Sequence, residues 1–120
     1  MREARAWFVK NFKPKSIEEL NQIAPLGSDE NASVRMVTSY WEMVASFLTS
    51  GVLNEDLFFQ SGRELLLVYV RARPVLTELR TAFKDPGAYK NLEAVAKRYI
   101  DYLNRVGPGS FEAFAARVGG

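Results

Sequence analysis

The longest run of apolar side chains at helical spacing extends from Asp29 to Phe83, and the rest of the chain is organised around it. An ideal helix turns by about 100° per residue, so side chains three and four positions apart share a face. In the first half of the run, one such face consists of Val34, Val37, Trp41, Val44 and Leu48. A second apolar stripe beside it consists of Met36, Tyr40, Met43 and Phe47. Together the stripes cover roughly half of the helix, more than the ~100° of an ordinary surface helix.

The second half of the run predicts another long helix, which begins after Gly51 and Asn54. Glycine suits the left-handed residue that often closes a helix, and asparagine is a good N-cap for the next one. The main apolar face from Arg63 onward consists of Leu65, Val68, Tyr69, Ala72, Leu76, Leu79 and Phe83. Pro74 lies inside this pattern and predicts a kink, because proline removes a backbone donor and crowds the preceding turn.

The remaining patterns are also helical, and none shows sustained strand alternation. A third long helix is predicted from about residue 88 to residue 106, and short helices are predicted over residues 2–12, 17–24 and 111–118. The sequence therefore predicts an all-α fold: a compact bundle of two long antiparallel helices plus a third long helix, with short helices at both termini. We expect one domain over residues 1–120, a common domain size. Its predicted core consists of Trp41, Val44, Leu48, Leu65, Ala72, Leu76, Leu79, Leu92, Tyr99 and Leu103.

Several residues of the central run also carry a resemblance to a known family. They are Tyr40, Trp41, Glu42, Gly51, Asn54, Glu55, Asp56, Leu57, Gly62, Pro74 and Arg80. Over about residues 34–80, the chain resembles an uncharacterised bacterial all-helical family, a domain of unknown function. The resemblance implies a helical fold and no established activity. Many members of that family carry an N-terminal membrane segment, and we expect none in this chain.

Composition restricts the chemistry that the chain can perform. Its 120 residues include no cysteine and no histidine, which excludes disulfides, thiolate nucleophiles, Cys/His zinc sites and histidine general bases. We expect no catalytic, cofactor-binding or metal-binding residues, and no cofactor. Glu42 is a candidate catalytic carboxylate, but its polar neighbours Arg35, Ser39 and Ser46 favour a solvent-exposed helix face. No apolar run approaches the roughly 18–20 residues that span a bilayer, so we expect a cytoplasmic protein.

Two groups of residues on the second long helix are candidate sites. Arg71 and Arg73 flank Pro74, where a kink could free carbonyl groups and form a ligand notch. Leu66, Leu67 and Val70 lie off the main apolar face and are candidate interface residues, since exposed apolar patches often mark interfaces. The alternative is a central helix whose back is covered by the short helices. The sequence favours the interface, used in a two-fold homodimer.

Charge suggests a second kind of partner. The net charge is +2, and residues 61–120 hold 10 basic and 6 acidic side chains. This bias permits an anionic partner, nucleic acid or membrane surface, bound through Arg71, Arg73, Arg80, Lys84, Lys97 and Arg98. We expect no sequence-specific nucleic-acid binding, because few phosphate contacts are available. Trp7, Phe8 and Phe12 sit among basic residues and suit a membrane surface, although packing onto the core is the favoured interpretation.

Three classes of function follow, in order of preference. The first is a protein–protein interaction or self-association module built on a helical bundle. The second is a binder of an anionic partner through the basic C-terminal half. The third is an enzyme, which would have to rely on carboxylate, tyrosine and arginine side chains.

Overall fold

The computed structural model describes residues 1–119, and the regular structure within this range is helical throughout. The all-α prediction is therefore confirmed. Gly120, the last residue of the predicted domain, lies outside the described residues. The helices, in chain order, are α1 (Arg2–Asn11), α2 (Ile17–Ile23), α3 (Asp29–Thr49), α4 (Glu55–Phe59), α5 (Arg63–Ala72), α6 (Leu76–Phe83), α7 (Lys90–Val106) and α8 (Ser110–Arg117). A 3₁₀ turn, Arg73–Val75, separates α5 from α6.

The ends of α3 follow from local side-chain chemistry. Its N-cap is Ser28, whose hydroxyl accepts a hydrogen bond from the Asn31 amide at 3.1 Å. After the helix ends, Gly51 takes the left-handed conformation with φ +84°, as predicted. A side chain would be strained there, because L-residues rarely adopt positive φ.

The second long helix of the prediction is divided into three helices and a 3₁₀ turn. Pro74 lies inside the turn between α5 and α6, which confirms the predicted kink. An earlier break occurs at Gly62, between α4 and α5, where an added Cβ would overlap the ring of Phe58. Glycine at this position therefore lets the aromatic ring lie directly against the backbone.

The hydrophobic core connects all the long helices. Helix α3 packs against α1 and α7, and α5 packs against α7 and α3, while α8 packs on α7. The predicted core is buried at Leu48, Leu65, Ala72, Leu76, Leu92, Tyr99 and Leu103. The other three predicted core residues are only half-buried: Trp41, Val44 and Leu79. Trp41 is only half-buried because its indole N–H donates a hydrogen bond to the Glu64 carboxylate at 3.1 Å, and this bond keeps the ring at the edge of the core.

Candidate interaction surface

The predicted interface on α5 is part of the core. Leu66 and Val70 are 0% exposed, and Leu67 is half-buried against the core. The expectation of a bare second face on this helix is therefore wrong. The alternative interpretation, a central helix whose back is covered, describes α5 correctly. The neighbouring Arg71 is buried as well.

Arg71 is buried beside Val70 and joins α5 to both ends of the chain. One guanidinium nitrogen donates to the carbonyl oxygens of Val9 at 2.9 Å, Phe12 at 3.1 Å and Phe8 at 3.3 Å. The Nε–H donates to the carbonyl of Val118 at 2.6 Å. These acceptors lie at the C-terminal ends of α1 and α8, where the helix dipole favours a cation. The Phe8 carbonyl also accepts from the Phe12 amide at 2.9 Å.

The geometry of Arg71 excludes it from a ligand notch. The residue is 4% exposed, and its Nε and one terminal nitrogen donate to backbone carbonyls. Burial lowers the pKa of its guanidinium below the ordinary value. Arg73 points elsewhere, with its guanidinium carbon 5.5 Å from the centre of the Phe111 ring. Arg71 and Arg73 are close in sequence, but their guanidinium groups have different partners, backbone carbonyls for Arg71 and the Phe111 ring for Arg73.

Three of the basic residues predicted to bind an anionic partner have acidic neighbours within the chain. Arg80 donates to the Ala88 carbonyl at 2.9 Å and pairs with Glu93 at 3.2 Å. Lys97 lies 3.8 Å from the same Glu93, and Arg98 pairs with Glu55 at 2.9 Å. Lys84 is exposed, and binding of an anionic partner through this set stays a prediction.

The N-terminal aromatic residues face inward. Phe8 and Phe12 are 0% and 1% exposed, and their rings stack with centroids 4.8 Å apart. Trp7 is half-buried and packs against the same core. This confirms the favoured interpretation of packing on the core, and it removes Phe8 and Phe12 from any membrane contact.

Glu42 stabilises the start of α7, a role that its neighbours in the sequence do not indicate. Its carboxylate accepts hydrogen bonds from the Leu92 amide at 2.8 Å and the Asn91 side-chain amide at 2.7 Å, at the first turn of α7. A carboxylate suits this place, since helix N-termini expose free N–H groups and partial positive charge. Glu42 thus caps α7 from α3, and Arg80 holds the preceding Ala88 carbonyl. The expectation of a solvated polar face is wrong for Glu42, which is half-buried.

The largest group of exposed apolar side chains on one helix lies on the outward side of α3. We call it the α3 outer face and define it as Met36 (49% exposed), Tyr40 (42%), Met43 (46%) and Phe47 (41%). These four residues are the second stripe of the sequence pattern. The first stripe packs inward, so α3 carries one buried apolar face and one exposed apolar face.

Two shallow grooves border the α3 outer face. One, with a volume of about 560 Å³, runs along the helix past Arg35, Met36, Tyr40 and Met43. The other, of about 550 Å³, lies between α3 and the segment that follows α6, and Met43, Phe83 and Asp85 contribute to its walls. Phe83 is 59% exposed, so it extends the apolar surface beyond α3.

The α3 outer face also contains no charge. Between Met36 and Ser50 the sequence has a single charged residue, Glu42, and this carboxylate is turned towards α7. The side chains flanking the face include Ser39 and Ser46. The sequence indicates this surface, because the apolar side chains of α3 cover more of the helix than one buried face requires. The same is true of α5, and the sequence alone does not identify which of the two helices keeps its second face exposed.

The described residues, 1–119, form neither a metal-binding cluster nor a membrane-spanning helix. Among residues 1–119, no group of three or more acidic side chains is close enough to hold a metal ion. Within the same range, no helix has the length and apolar character needed to cross a bilayer.

Comparison with known proteins gives one match. The family model described as Domain of unknown function (DUF4760) matches residues 1–99, which include α1 to α6 and the first part of α7. No curated protein and no solved structure matches the chain.

Proposed function

Because the chain belongs to the DUF4760 family, a domain of unknown function with no activity to transfer, we propose a function from the geometry of the chain itself. In this proposal the protein is a self-association module, and two copies bind each other through the α3 outer face. The observation that carries the proposal is the row of four large apolar side chains, each 41–49% exposed, on a helix that already buries its other face.

The size of the surface supports an interface. Phe83 and the four residues of the α3 outer face are 41–59% exposed. With about 200 Å² for each full side chain, they leave roughly 500 Å² of largely apolar surface, which is at the upper end for a monomeric protein. Two copies would bury about 1,000 Å² from these side chains alone, close to the area of the smallest stable interfaces.

The chemistry of the rim supports another protein rather than a lipid surface. Helices that lie on membranes carry lysine and arginine beside their apolar face, which attract anionic lipids. The flanks of the α3 outer face instead include Ser39 and Ser46, and the groove walls carry one basic side chain, Arg35, and two acidic ones, Glu42 and Asp85. A single basic side chain offers little attraction to anionic lipids, so this rim favours a protein partner over a membrane surface.

The experiment is light scattering behind size exclusion, with charge placed at the centre of the surface. The wild-type chain, of 13.6 kDa, should elute with the mass of two chains at high micromolar concentration. Met43→Glu should elute as one chain, because a carboxylate cannot be buried there without a partner.

Val106→Glu is the matched control, since Val106 is 73% exposed at the end of α7 and outside the α3 outer face. It should keep the wild-type mass, and circular dichroism should show the same helix content in all three proteins. A wild-type chain that stays monomeric at high micromolar concentration would overturn the proposal. So would a Met43→Glu variant that keeps the wild-type mass.

A further inference from the structure

The four residues of the α3 outer face are arranged symmetrically along the helix. Their spacings are four, three and four residues, so the row has the same spacing in both directions. When α3 meets an antiparallel copy of itself, Met36 lies level with the partner's Phe47, and Tyr40 lies level with the partner's Met43. The centre of this arrangement lies between Trp41 and Glu42.

This antiparallel register places a methionine opposite an aromatic ring at every level. Methionine is flexible and polarizable, and its sulfur makes favourable contacts with ring edges. A flexible side chain can also adjust to the shape of a rigid ring facing it. All four contacts across the two-fold axis are then of one kind, and each pairs a ring with a thioether.

A parallel copy would give a poorer match. Each residue would face its own copy, so pairs of methionines at 36 and 43 would alternate with pairs of aromatic rings at 40 and 47. The gap between the helices would then be filled unevenly along their length. Parallel α3 helices would also place ends of like partial charge side by side, whereas antiparallel helices bring opposite ends together. The side-chain order along α3 therefore favours the antiparallel arrangement.

We propose that two copies of the chain pair through antiparallel α3 helices, with Met36 against the partner's Phe47 and Tyr40 against the partner's Met43. This inference rests on the proposed self-association and adds its geometry. The facing backbones of two packed helices, with axes about 8–10 Å apart, come close enough for side chains at one level to touch.

Disulfide trapping tests the register, because the chain contains no cysteine of its own. A disulfide needs Cα atoms within about 7 Å. In the proposed register, residue 36 lies level with the partner's residue 47, but about 16 Å along the axis from the partner's residue 36, given ~1.5 Å of rise per residue. Met36→Cys and Phe47→Cys should therefore cross-link to each other when mixed, and neither should cross-link to itself.

The experiment oxidises each variant alone, the mixture of the two, and a mixture of Met36→Cys with Asp101→Cys. Asp101 is exposed on α7, so its variant is a control for random collision. Intact mass spectrometry under non-reducing conditions identifies the products. The expected result is the mixed 36–47 disulfide in large excess over every self-linked product and over the 36–101 product.

The outcomes separate the register from the self-association. Self-linked Met36→Cys would overturn the antiparallel register in favour of a parallel one, while leaving self-association in place. A 36–47 yield no greater than the 36–101 yield, in a chain that light scattering shows to be dimeric, would also overturn the register. The same yield in a chain that is monomeric would overturn the proposed function itself.

Discussion

Helices α3 and α5 each carry more apolar surface than one buried face requires, yet their second faces have opposite fates. On α5, Leu66 and Val70 are completely buried. On α3, Met36 and Met43 are 49% and 46% exposed. Helix α5 packs against both α3 and α7, and its Arg71 also donates to backbone carbonyls of α1 and of the segment after α8. A second apolar face on a helix therefore indicates an interface only when the folded chain leaves that face exposed.

The largest expected difference between the two helices is in stability. Leu66→Ala should reduce the free energy of unfolding by roughly 2–5 kcal/mol, because it leaves a cavity in a fully packed site. Met43→Ala should change it by about 0.5 kcal/mol or less, because the side chain is half in solvent. Urea unfolding at low micromolar concentration, where self-association contributes least, measures both. Equal losses from the two variants would contradict the assignment of one face to the core and the other to the surface.

The hydrogen bonds that join α5 to α1 and to the segment after α8 can be removed by replacing Arg71. Arg71→Lys should cost about 2–4 kcal/mol, because a single ammonium cannot reach carbonyls on both α1 and the C-terminal segment and leaves buried acceptors unpaired. The control is Arg73→Lys, since Arg73 is exposed and its replacement should cost little. Differential scanning calorimetry of the two variants gives the comparison. An Arg71→Lys protein as stable as the Arg73→Lys protein would show that the short helices stay in place without the guanidinium.

A smaller loss of stability is expected when Glu42, the α3 residue that caps α7, is replaced. Glu42→Ala should cost about 1 kcal/mol, within the range for loss of an N-cap and its interaction with the helix dipole. Asp101→Ala, an exposed carboxylate in the middle of α7, is the control and should be close to neutral. Amide hydrogen exchange adds a local measurement, since protection at Asn91 and Leu92 should fall in Glu42→Ala alone. Unchanged protection at these two amides would remove the capping role.

Local features of the fold were predictable from the sequence, because their causes lie within a few residues. Gly51 adopts the left-handed conformation expected after a helix, and Pro74 lies in the break between α5 and α6. The roles of Arg71 and Glu42 were not predictable in this way. Their partners lie about 50 to 60 positions away in the sequence, so they depend on packing that periodicity does not specify.

The candidate site was predictable in part. The sequence pattern identified Met36, Tyr40, Met43 and Phe47 as a second stripe, but the interface was assigned to Leu66, Leu67 and Val70 instead. These two sets of residues look alike in sequence, since both consist of apolar side chains at helical spacing beside a main apolar face. What separates them is burial in the folded chain: Leu66 and Val70 are fully buried, whereas the α3 outer face is exposed, and this depends on the tertiary structure.

The most direct test of the α3 outer face as a self-association surface is the dependence of unfolding on protein concentration. Binding between native copies stabilises them by mass action, so the wild-type unfolding free energy should rise by about 1.4 kcal/mol per mole of dimer for each tenfold increase above the dissociation constant. A variant with both Met43→Ser and Phe47→Ser should unfold at the same denaturant concentration throughout. A wild-type midpoint that does not move with concentration would contradict the account.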